Sequence, residues 1–132
     1  MSTSTITFVK ALKGGIIAGV IGATLNSIWS FIAQSMGSVP PPGFPIAIIL
    51  SSIFPVLIGS VLYFFLEKYT AKGQLIFTII GVLFTVVSFY PTITSSTLPD
   101  GTVVGEGFTL LTLPMHIISG ALAIWGIPKF SK

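Results

Sequence analysis

Four long apolar runs dominate this chain and limit its folding options before any motif is read. They span residues 14–36, 46–66, 74–90 and 108–127. A helix needs about 20 apolar residues to cross a bilayer core about 30 Å thick. The third run is the shortest, and it reaches its full extent only with Tyr90. Transmembrane β-strands would alternate apolar and polar residues, whereas these runs are continuously apolar. Only 7% of the residues are charged and the mean hydropathy is +1.02, against about 25% charged in an ordinary soluble domain. The polar side chains are too few to clothe a soluble surface. The prediction is all-α: a single transmembrane domain, 1–132, built as an antiparallel four-transmembrane-helix bundle in a lipid bilayer. A soluble globular enzyme, a nucleic-acid-binding domain and a disordered tail are excluded.

The six lysines sharpen the topology. Lys10 and Lys13 precede the first run, Lys68 and Lys72 lie between the second and third, and Lys129 and Lys132 follow the fourth. Four antiparallel spans bring all six to one end. The positive-inside rule makes that end cytoplasmic, with both termini on the same side. The other two connections hold no lysine, and the second of them carries Asp100 and Glu106. Lys10 and Lys13 before an apolar run also suit a signal peptide, but the run outlasts a typical h-region and no A-x-A site follows. Tyr69 and Trp125 fall near the lysine-side interface and Tyr90 near the other, where amphipathic rings are favoured. The first lysine-free connection, 38–45, carries three consecutive prolines and is stiff. In the second, Leu98-Pro99-Asp100-Gly101 reads as a turn, and its flanks suit a small hairpin or lid. Pro128 is expected to end the fourth helix at Ile127.

Polar residues inside a span are costly and mark candidate sites. At about 1.5 Å rise per residue, Asn26 lies roughly 18 Å from the lysine-side end of its run and His116 roughly 16–17 Å from its own. Pro55 and Thr85 fall at similar depths. Pro55 also deprives the Ser51 carbonyl of its helical donor. Gly22, Asn26 and Ser30 share one helical face, as do Thr112, His116 and Gly120, and these two stripes are expected to face each other. Asn26, Ser30, Ser51, Pro55, Thr85, Thr112 and His116 therefore define a candidate polar cavity in the half away from the lysines, with Asn26 and His116 in one midplane cluster. In the lysine half, Gly15, Gly19 and Gly22, with Gly59, Gly81 and Gly120, offer small surfaces for close helix approach. Plain structural roles compete at each position. Serine and threonine commonly bond back to the preceding turn, glycine ridges serve packing, and Asn26 suits interhelical bonding.

Catalytic signatures are missing. The chain has no cysteine and one histidine, which leaves no thiolate nucleophile and no multi-histidine metal site. HExxH and G-x-S-x-G patterns are absent, and no carboxylate lies within a span. No cofactor or metal is implied. Arginine is absent and the lysines are dispersed in pairs, so no nucleic-acid surface is implied either.

Asn26 in the first run, the proline-rich connection, Pro55, and Leu113-Pro114-Met115-His116 together give the chain its family likeness. It resembles an uncharacterised bacterial family of small four-helix membrane proteins, a domain of unknown function. The resemblance implies a four-helix topology and a bacterial plasma membrane, and supplies no activity. Three functions stay open. The first is binding of a small apolar or lipid-like ligand in the cavity. The second is an accessory subunit, or a homo-oligomer, docking a membrane partner through the glycine faces. The third is an enzyme using His116 as acid or base.

Overall fold

A computed structural model describes residues 5–132. It contains α1 (Phe8–Ser35), α2 (Phe44–Tyr69), α3 (Gly73–Thr94) and α4 (Phe108–Ala121), then a π-helical turn (Leu122–Gly126) and a short α5 (Ile127–Phe130). No strand occurs among the described residues. Four continuous helical stretches, the last being Phe108–Phe130, are long and apolar enough to cross a membrane.

The helices outrun the apolar runs for local reasons. Thr7 caps α1, its hydroxyl accepting the Lys10 amide at 3.2 Å, a favourable N-cap arrangement. Lys10 and Lys13 therefore sit inside the first turns of α1 rather than before it. Pro45 occupies the first turn of α2, where a missing N–H costs nothing. Pro91, placed by the sequence at the start of a connection, lies inside α3, which continues to Thr94. Pro128 likewise does not end the last helix at Ile127. A proline ring clashes with the carbonyl four residues earlier. The π turn just before it, in which the Ile127 amide reaches back five residues to Leu122, widens the backbone there and lets α5 run on to Phe130.

α1 lies along α2 on one side and along α4 and α5 on the other, whereas α3 packs on α4. α2 and α3 are joined by a tight turn at the lysine end, where a Cβ on Gly73 would stand 2.5 Å from the Leu66 carbonyl. Tyr63 and Phe77 pack edge to face across that junction, with ring centroids 5.1 Å apart. One apolar core, Ala18, Val56, Tyr63, Phe77 and Ile127, fills this end. A second, Ala33, Ile48, Leu111 and Met115, fills the other.

The two lysine-free connections close over the far end together. The Val39 amide donates to the Glu106 carbonyl at 2.9 Å, and the Ser38 hydroxyl to the Gly107 carbonyl at 3.1 Å. Gly107 holds φ +70°, and a Cβ there would strike Ser38, so glycine meets both requirements. The expected hairpin is present: Thr97 pairs antiparallel with Val103, and the Gly101 amide closes the turn onto Leu98 at 2.9 Å. The Thr102 amide donates to Asp100 at 2.9 Å, which holds that exposed carboxyl below its ordinary range.

Candidate binding cavity

A cavity of about 770 Å³ runs between α2 and α3, with α4 as its floor and Asn26 of α1 reaching its wall. Its existence follows from which helices are tied together. α4 is held to α1 at two points. Pro114 has no N–H, so the Leu110 carbonyl lacks its helical donor. The Trp29 indole N–H fills that vacancy, 3.1 Å from both the Leu110 and Leu111 oxygens. Deeper down, Asn26 Nδ2 donates to Ser52 of α2 and to Ser119 of α4, both at 2.9 Å. With α4 drawn onto α1, α2 and α4 scarcely meet, and α3 closes on α2 at the lysine end. Between them lies the cavity. Its lips are Phe54 and Ile58 on one side and Ile80 and Phe84 on the other. Phe54 is 59% and Phe84 69% exposed, so the opening faces sideways, toward the bilayer.

Asn26, Ser51, Pro55, Thr85, Thr112 and His116 all line this cavity. Ser30 does not; it is buried at 5% exposure and its hydroxyl accepts from Gln34 at 3.0 Å. The cavity differs from the expected polar one in the far half. Its walls are mainly apolar, with Ile48, Leu62 and Phe77 among them, and it continues into the lysine half.

The expected facing of two stripes also needs correction. Gly120 abuts Thr85 of α3, not α1. The α4 face turned toward α1 carries Leu111 and Ser119, each one position from that stripe, and Leu122 of the π turn meets Gly22 beyond it. Asn26 consequently bonds Ser119 rather than His116, and the proposed Asn26–His116 pair is not formed. Both residues reach the same cavity from different helices.

The polar groups on the wall differ in what they have left to offer. Ser51, Thr85, Ser88 and Thr112 donate their protons to carbonyls of their own helices at 2.6 to 3.3 Å, the back-bonding habit of such residues in apolar helices. Asn26 is 3% exposed and its Oδ1 has no hydrogen-bond partner. His116 makes no hydrogen bond among the described residues. An imidazole both donates and accepts when neutral, so it is the most versatile group left on the wall. No three metal-binding side chains come together among the described residues.

The glycine faces are occupied within the chain. A Cβ on Gly15 would stand 2.7 Å from Ser60, one on Gly19 3.2 Å from the Ile53 Cα, and one on Gly22 3.3 Å from Leu122. A Cβ on Gly59 would stand 3.4 Å from Ile127, and one on Gly81 2.7 Å from Ile124. The faces assigned to a docking partner are therefore already covered by the protein's own helices.

Ser119 and Trp29 were not singled out in the sequence, and Ser52 only as one of several polar residues in the half away from the lysines. Pro114 was the available signal for Trp29, since it orphans a carbonyl that a buried donor must satisfy. The two serines carry no such signal.

Four apolar helices in a packed bundle define a multi-pass integral membrane protein. Residues 6–132 match the model of a family of unknown function, DUF6069, and the chain belongs to that family. No curated protein and no solved structure matches it.

Proposed function

We propose that the protein binds an apolar, lipid-like molecule that carries one neutral hydrogen-bonding group and enters sideways from the bilayer between α2 and α3. The single observation behind this reading is the laterally open cavity of about 770 Å³, a size usual for ligand sites, with His116 unbonded on its wall. Apolar walls suit chains already dissolved in lipid. A hydroxyl or amide on the ligand would meet His116, and the unpartnered Asn26 Oδ1 is a second acceptor in reach of the same wall. Among the described residues that line the cavity only His116 is ionisable, so a charged group would find no counter-ion there.

Mass spectrometry of the gently solubilised full chain tests this. Bound lipid-like molecules should accompany the parent protein. They should be lost from Ala47→Trp, which fills the cavity from an exposed wall position. Equal recovery from both proteins rejects the cavity as the binding site. His116→Leu should retain purely apolar chains and lose the hydroxylated ones.

The lysine distribution supports a cytoplasmic lysine end, and the family likeness supports a bacterial plasma membrane. The chain has no native cysteine, so single introduced cysteines report cleanly. A cysteine at Thr97 should react with an external reagent and one at Lys132 should not; the reverse pattern inverts the topology. Lys132 serves better than Ser131, which is buried and bonded to Ile127. Ser4, the matching position at the other terminus, lies outside the described residues.

A further inference from the structure

At the lysine end a second groove, about 450 Å³, lies between the first turns of α3 and the end of the last span, separate from the lateral cavity. Gln74 and Thr78 form one side, Ile124 and Pro128 the apolar floor, and Trp125, Lys129 and Lys132 the other side. Among the described residues no Asp or Glu side chain lines it and no side-chain ion pair forms. The Lys129 ammonium stands 4.1 Å from the Trp125 ring centroid. That contact uses one face of the ammonium and leaves its other protons for an acceptor. The Trp125 indole N–H and the Gln74 side-chain amide have no acceptor among the described residues. The groove thus gathers positive charge and unspent donors beside an apolar floor, at the level where a span leaves the hydrocarbon.

We infer that this groove is a binding site for the headgroup of an anionic phospholipid. Two ammonium groups offset the net negative charge of such a headgroup, and the indole and amide protons bond its oxygens. Ile124 and Pro128 lie against the start of its chains. A zwitterionic headgroup brings its own cation, which the two lysines repel. This inference does not rest on the ligand proposed for the lateral cavity.

The test is native mass spectrometry of the full chain titrated with phosphatidylglycerol and phosphatidylcholine of matched chains. Two lysines beside an anionic headgroup should give the parent protein a preference of about thirtyfold for phosphatidylglycerol. Lys129→Gln/Lys132→Gln should abolish the preference. Lys10→Gln/Lys13→Gln removes equal charge at the same end outside the groove and should keep it, as should Ala47→Trp. All four lysines are exposed, so neither double variant threatens the fold. Equal retention of the two lipids by the parent overturns the site. An equal loss in both lysine double variants also overturns it, because the preference would then belong to the charged surface as a whole. Displacement of phosphatidylglycerol by inorganic phosphate would make the free anion the ligand and remove the lipid from the inference.

Discussion

The α1–α2 interface and the α2–α3 gap both join helices apolar enough to cross a membrane and reach opposite outcomes. In lipid there is no hydrophobic force to press two apolar helices together, so shape and hydrogen bonding decide. Across α1–α2 the facing positions are Gly15, Gly19, Ser52 and Ser60, and the backbones come close enough that a Cβ on Gly19 would stand 3.2 Å from the Ile53 Cα. Across α2–α3, above the Tyr63–Phe77 contact, the facing positions include Phe54, Ile58, Ile80 and Phe84. These bulky side chains hold no backbone near another. Small residues seal one seam, and large ones leave the other open to lipid.

The most disruptive way to break that contrast is Gly19→Leu. The new side chain meets backbone that cannot step aside, so α1 and α2 must separate at a cost of about 1–3 kcal/mol. Thermal unfolding in detergent should show the loss, while Leu62→Ile at the lip of the gap leaves the midpoint nearly unchanged. Equal midpoints for Gly19→Leu and the parent would mean that the α1–α2 seam is as loose as the α2–α3 gap.

A smaller effect is expected from Trp29→Phe. The ring volume is largely kept, but the Leu110 carbonyl freed by Pro114 loses its donor, and the tie that draws α4 away from α2 weakens. A net loss of about 1 kcal/mol is expected. Unchanged stability together with an unchanged lipid complement would show that other contacts hold α4 on α1.

The smallest effect sharpens the comparison most. Asn26 joins α1, α2 and α4 through Ser52 and Ser119, so a double-mutant cycle of Asn26→Leu with Ser119→Ala should show coupling near the membrane average of about 0.6 kcal/mol. Asn26→Leu with His116→Leu should be additive, because that pair shares a cavity and no bond. Coupling to His116 without coupling to Ser119 would require α4 to be rotated by one position from the arrangement described.

That last pair of residues shows where sequence reading stops. The four spans, the gathering of lysines at one end and the turn at Leu98–Gly101 were all legible, because each rests on local chemistry: apolar length, charge and turn-forming residues. A fixed rise per residue also grouped Asn26, Pro55, Thr85 and His116, and all four line one cavity. Rotation about the helix axis was not. Adjacent residues differ by about 100° in direction, and only the neighbouring helices choose among those directions. Tertiary packing turned Ser119 toward Asn26 and His116 into the cavity, and sent Ser30 away from it. It also set Gly120 against Thr85 and opened the cavity sideways between Phe54 and Phe84. The chain itself determined its four helices long and apolar enough to cross a membrane, and where along them the polar groups fall. Which of those groups meet was decided by where small residues let helices touch and where large ones kept them apart.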